Sequence, residues 1–273
     1  MPNSANNLRG TLESAIAELE LCVQAMAVDF EKPQPVRLKR GFVFRHKEKS
    51  DVLMSFLKCV RSVSCLNAAL ALLRSGYVHE VFGLCRLVDE ANDDVTFISL
   101  RLGEGDEPRD DQKRLIREFF QEEFADEENV LDSQQKRDRV SRQRIRAAIA
   151  SVDAGVGNPS DKIAIRRVLD QVYSGYIHGA YGHIMELFGG SPARYHTSGM
   201  LGTPKIAQCE EQLTNYVYRS VLAAEIVAGR SRNAEMVERL RTLRNEFAAK
   251  TGCVPDVRDT SKIMARIKGK ESP

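Results

Sequence analysis

The sequence predicts an all-α chain folded as an antiparallel helical bundle of roughly seven or eight helices. Three observations carry that expectation. Apolar residues recur at three- and four-residue spacing through nearly every long stretch, as on one face of a helix. Most connections between those stretches are short, which turns consecutive helices antiparallel. Outside Phe42-Val43-Phe44 no strand pattern stands out. Of the 273 residues, 42% are hydrophobic and 29% charged, typical of a globular chain long enough to bury a sizeable core. Residues 1–250 are expected to form a single helical domain with a basic arm at 36–49, and residues 251–273 a flexible basic tail.

Leu8 to Val28 carries Leu8, Leu12, Ile16, Leu19, Val23 and Met26 on one helical face, and Pro33 and Pro35 stop it. The arm Val36–Lys49 sets Arg37, Lys39, Arg40, Arg45, Lys47 and Lys49 around Phe42 and Phe44. Such interleaving can grip a polynucleotide and stack its bases; the expectation here is that the phenylalanines plug the core. Ser50 is placed to cap a helix over Asp51–Leu73. Ser75-Gly76 turns the chain into a second long helix, Tyr77–Leu102. That helix carries a narrow polar stripe of His79, Arg86, Glu90, Asp93 and Arg101, with Arg86 and Glu90 four apart and able to pair. The stripe reads as a solvated face, or else, hemmed in by Phe82 and Leu87, as a buried seam facing the glycine-bearing helix at Val172–Gly190.

Asp110–Phe124 is an acidic amphipathic helix. The acidic block Glu122–Asp132 and the basic block Lys136–Arg146 are expected to neutralise each other across a turn. The stretch Val172–Gly190 reads as one central helix. Its Tyr173, Ile177, Tyr181, Ile184 and Phe188 form a core stripe, and Gly175, Gly179 and Gly182 lie opposite, flanked by His178 and Glu186. Helix-interior glycine costs roughly 0.5–1 kcal/mol against alanine, so three on one face suggest a close approach by a helix or a ligand. The loop Gly189–Pro204 is long for a helical domain and carries Arg194 and His196. Helices over Lys205–Ala228 and Asn233–Lys250 complete the bundle.

The net charge of +2 supplies no global attraction to nucleic acid or membrane. No apolar run reaches the roughly 18 residues that span a bilayer, and the N-terminus lacks a signal-peptide pattern. A cytoplasmic protein with no membrane association is expected. Its six cysteines, none in a CxxC pair, then read as small buried apolar residues. No phosphate loop, dinucleotide fingerprint or zinc-protease motif occurs. His178 and His183 are five apart and share no helix face, so no metal and no cofactor are expected.

The phrase ALLRSGYVHEVFGLCRLVDE, the later YSGYIHG and the Arg-x4-His spacing of Arg74 and His79 resemble the HEPN superfamily of helical bundles. Over about residues 50–230 the likeness is to a bacterial HEPN-like family of unassigned function. In active members an arginine steadies the RNA phosphate while a histidine moves the proton of the attacking 2′-hydroxyl, without metal. The resemblance implies those roles for Arg74 and His79, as in a defence or toxin ribonuclease.

Three readings stay open. The first is a partner-binding or regulatory module whose partner is a protein or a second copy of the chain. The second is the metal-independent ribonuclease, with RNA as partner. The third is a small-ligand site over Gly175, Gly179 and Gly182. A polar cluster of His178, Glu186, Arg86 and Glu90, lidded by Arg194 or His196, is expected where a site exists.

Overall fold

The computed structural model describes residues 3–38, 41–100, 107–122, 137, 139–152 and 159–253. Helix α1 (Asn3–Met26) leads through a 3-10 turn at Ala27–Asp29 to an antiparallel hairpin of β1 (Gln34–Leu38) and β2 (Gly41–Arg45). Two long helices follow, α2 (Asp51–Arg74) and α3 (Val78–Ser99), then the shorter α4 (Asp110–Phe120) and α5 (Arg142–Val152). Helix α6 (Pro159–His178) is followed by the single turn α7 (Tyr181–Met185) and by two-residue strands β3 (Phe188–Gly189) and β4 (Arg194–Tyr195). Helices α8 (Pro204–Arg230) and α9 (Ala234–Thr251) close the bundle. The described residues thus form the expected all-α fold, with nine α-helices.

The extra helix comes from the middle of the chain. Val172–Gly190 is not one helix: it breaks at Gly179, which takes a left-handed φ of +62°, and Ala180 is extended. A left-handed residue ends the hydrogen-bond ladder and suits glycine, so Gly179 is a helix stop. It is exposed, and a larger residue there meets backbone strain rather than an overpacked interface.

The main core lies between α1, α2, α3, α8 and α9. Leu12, Ile16 and Leu19 of α1 meet Leu66 and Leu73 of α2, Val81 of α3, Leu213 and Val217 of α8 and Leu240 of α9, all fully or almost fully buried. Each such leucine stabilises by about 1.5–3 kcal/mol relative to exposure. Ser50 caps α2 as its position predicts, its hydroxyl accepting from the Leu53 N–H at 3.2 Å. By length and composition α2 is apolar enough to cross a bilayer, yet its apolar face is spent on this core. All six cysteines are free and buried, and burial pushes the Cys59 and Cys209 thiols up to about 12.

A second, smaller core of Met54, Phe97, Ile98, Leu115, Ile145 and Ile149 sits where α4 and α5 close over the far ends of α2 and α3. Buried Gln112 stitches it. Its amide donates to the carbonyls of Phe97 at 2.8 Å, Ile98 at 3.1 Å and Leu100 at 3.2 Å. Those carbonyls belong to the end of α3, where the helix has no partners of its own to offer.

The polar stripe on α3 divides: Asp93 lies in a buried seam with Asp94 that faces α5 and α8, Arg86 and Glu90 are half-buried, His79 faces α6, and Arg101 lies outside the described residues. Asp94 is fully buried and takes the Lys58 ammonium at 2.7 Å and the Arg142 guanidinium at 2.5 Å. Asp93, 1% exposed, takes Arg219 at 2.9 Å and lies 3.6 Å from Arg146. Arg219 also pairs with Asp89. Burial alone pushes the Arg219 guanidinium pKa down, but Asp89 and Asp93 overcome it and drive the value up. At the centre, Asn92 accepts from the Ser62 hydroxyl at 3.2 Å and donates to Ser220 at 3.0 Å, joining α2, α3 and α8. The basic block therefore does find carboxylates, but on α3 and α4: Arg139 faces Glu118 and Arg144 faces Asp111. Of the acidic block only Glu122 lies within the described residues, and it pairs with Arg45. The expected basic tail lies outside them beyond Cys253.

The hairpin departs from expectation in one respect. Phe42 and Phe44 do not plug the core; they stand 62% and 58% exposed, edge to face at 5.4 Å. The described hairpin is a two-stranded sheet, β1 paired with β2 alone.

Removing one member of a buried ion pair strands the other, costing about 3 kcal/mol or more, whereas an exposed pair contributes about 1 kcal/mol or less. Asp94→Ala should therefore lower the urea midpoint far more than Glu13→Ala, which breaks only the exposed contact to Arg74. Equal losses would show that the seam is screened like surface.

Candidate functional site

The α2–α3 corner places the candidate site. Ser75, Gly76 and Tyr77 reverse the chain, with Gly76 at φ +83°. The loop after β4 docks on this corner: the Met200 N–H donates to the Gly76 carbonyl at 2.8 Å. A Cβ on Gly199 would strike the Ser75 carbonyl, and one on Gly76 would meet the backbone of Met200 and Leu201. The two glycines thus let two backbones touch.

One residue into α3, His79 turns toward α6. Its ring meets Tyr176 edge to face at 5.1 Å, and Tyr176 also meets His183 of α7 edge to face at 4.2 Å. The His183 ring lies against Gly175, where any Cβ would overlap it. The close approach inferred at the glycines is real at this one position, and the approaching group is the chain's own histidine. Gly182 has open space around it. Gly83 on α3 admits Ile177 of α6, a Cβ there lying 3.8 Å from Ile177 Cγ1.

Glu186 closes the cluster. Its carboxylate accepts from the Tyr176 hydroxyl at 3.1 Å and from Lys205 Nζ at 2.7 Å. Burial pushes this carboxyl up, but Lys205, Tyr176 and the nearby His79 hold it below the ordinary value. Burial and the Glu186 charge push the Tyr176 phenol well above its usual range, so it remains a donor. Burial also holds the His79 imidazole below 6.5, against the opposing pull of Glu186 and Glu80. His79 Nε2 is buried and makes no hydrogen bond among the described residues. The assembly is a neutral imidazole beside a carboxylate–ammonium pair, able to accept and return a proton. A cavity of about 230 Å³ adjoins it, lined by Gly76, Tyr77, Glu80, Leu187, His196 and Thr197.

The expected polar cluster is thus divided. Glu186 joins His79, not Arg86 and Glu90, which pair with each other at 3.1 Å. They share the α3 stripe with His79, but seven and eleven residues along a helix mean about 10 Å and 16 Å of rise. His178 is exposed because the helix ends there. Arg194 is exposed on β4, while His196 lies in the cavity wall, its Nε2 3.3 Å from the Gly189 carbonyl. Arg74 and His79 point apart: the arginine crosses to Glu13 of α1 at 2.8 Å. Gly175, Gly179 and Gly182 do not line the cavity. Among the described residues no group of three or more His, Cys, Asp or Glu side chains is arranged to hold a metal ion. Tyr176, His183 and Lys205 were not singled out as site residues. Of the three only Tyr176 lies in the YSGYIHG phrase; His183 and Lys205 have no local sequence signal for this role.

Neither protein-family models nor characterised proteins nor solved structures offer a match to this chain.

His79 has a testable pH signature. Its folded pKa lies below 6.5, so between the two values the unfolded chain binds a proton that the folded chain refuses. Stability from this group is complete above 6.5 and is lost as pH falls toward the folded pKa. Glu186, depressed below 4.5, loses its contribution only at lower pH. Urea unfolding at a series of pH values just below 6.5 should show a rising slope in the wild type that flattens in His79→Gln. Parallel slopes would mean that the burial of His79 is not felt.

Proposed function

We propose that this chain is a partner-binding module acting through the surface made by the end of α6, α7 and the β3–β4 turn. One observation carries the reading. Ile177, Tyr181, Ile184, Phe188 and Tyr195 are all exposed within this short region, Tyr181 to 81%. Phe188 and Tyr195 pack ring to ring at 4.9 Å on the paired strands. Large apolar and aromatic side chains grouped at a surface are what protein interfaces use as anchors. Beneath them the Tyr176–Glu186–Lys205 bonds fix α7 to α6 and α8, which reduces the entropy lost when a partner docks. The partner fitting this surface is a protein, and a second copy of the chain is the first to test. Sedimentation velocity at micromolar concentrations should show dimers that Tyr181→Glu with Phe188→Glu dissociates, leaving the far-UV spectrum unchanged. A wild type that stays monomeric would sink the self-association form of this reading.

A second reading, metal-independent RNA cleavage, draws support from His79 alone. A neutral imidazole with an unengaged Nε2 is the state a general base requires. Lys205, rather than Arg74, is the cation nearest to hand, and His183 supplies a second imidazole. Purified protein should then cleave RNA in EDTA, and His79→Ala should abolish it while Arg74→Ala does not. No cleavage by the wild type removes the reading.

A further inference from the structure

We propose that the cleft between the β1–β2 hairpin and the end of α4 binds single-stranded nucleic acid. This proposal is independent of both readings above and concerns a different face of the molecule. The cleft has a volume of about 780 Å³. Phe44 of β2 forms one wall, and Phe119 and Phe120, packed edge to face at 4.9 Å, form another. His46, Lys49 and Arg137 bring basic groups to the lining. Glu122 is the one carboxylate among the described lining residues, and Arg45 occupies it with two hydrogen bonds at 2.6 and 2.7 Å.

The hairpin extends this chemistry beyond the cleft. Phe42 and Phe44 lie two residues apart on β2 and so point to the same side, about 6.6–7 Å apart along the strand. Their cross-strand partners are Arg37 and Pro35. From Val36 to Lys49 the sequence carries Arg37, Lys39, Arg40, Arg45, Lys47 and Lys49 against the single carboxylate Glu48. Exposed phenylalanines alone would suit a protein partner equally. Set among cations, they suit a flexible polyanion with flat faces: bases stack on the rings and phosphates meet the charges. An apolar protein surface would leave those cations without counter-charges, and lysine, half of the set, is depleted at interface cores. A duplex hides its base faces and offers only phosphate.

Fluorescence polarisation of the full chain with labelled oligouridine, oligothymidine and a duplex of equal length tests this. Both single strands should bind, the duplex at least about tenfold more weakly, and affinity should fall steeply with salt. Phe42→Ala and Phe44→Ala should each weaken single-strand binding by about tenfold. Their melting temperatures should not change, since neither ring is buried. Lys49→Gln should reduce the salt dependence by about 0.7 in log–log slope. Equal affinity for the two single strands supports readout by stacking and phosphate alone; tighter binding of oligouridine supports it with an added 2′-hydroxyl contact. Three results overturn the proposal. They are no binding at low salt, equal affinity for the duplex, and phenylalanine variants that bind like the wild type, which would mean charge attraction only. Dissociation of a protein dimer by the same variants, without loss of oligonucleotide binding, would assign the rings to a protein interface instead.

Discussion

Helix α3 carries Asp89, Asp93 and Asp94 into the middle of the molecule, and the helices beside it must answer those charges. An isolated carboxylate in such a place is far too costly to remain ionised. Lys58 from α2, Arg142 and Arg146 from α5 and Arg219 from α8 are what make its burial tolerable. This explains the position of α5, a short helix with little apolar surface beyond Ile145 and Ile149. It is held as much by its arginines as by its core. Ion pairs of this kind contribute little net stability compared with apolar packing of equal volume, but they punish misregistration severely. A slip of one residue along α3 would leave several charges without partners at once.

The same helix shows how a single stripe can serve two ends of a molecule. At its start His79 looks into the α6–α7 corner; at its end the aspartates look into α5 and α8. Tyr176 is the joint of the first end, touching His79 and His183 with its ring and Glu186 with its hydroxyl. Lys205 fastens that corner to the first turn of α8. The exposed aromatic surface of α7 and the β3–β4 turn is therefore mounted on a hydrogen-bonded base rather than on a loose loop.

Helix existence was legible because a 3.6-residue apolar period survives in sequence whatever the neighbours are. The Arg86–Glu90 pair and the Ser50 cap were legible for the same reason: both are local. Gly179 was not. A glycine in an apolar period fits a packed helix and a helix stop equally well, and only the backbone turn at Ala180 separates them. The hairpin failed differently. Phe42 and Phe44 have the composition of a core plug, and whether a strand pair has a layer above it is a tertiary fact. The seam was anticipated as one alternative, but its partners on α5 and α8 are far away in sequence. The candidate site assembles from α3, α6, α7 and α8, so no window of sequence contains it, and Lys205 gave no sign of its role.

The six buried thiols lie along four of the five helices of the main core and just past the fifth: Cys22 on α1, Cys59 and Cys65 on α2, Cys85 on α3, Cys209 on α8 and Cys253 after α9. Held protonated and away from solvent, each is silent toward alkylating reagents until its own stretch of the bundle opens. The chain thus contains a set of native clocks. The order in which they are labelled under mild destabilisation would chart which parts of the bundle separate first, without a probe having to be introduced.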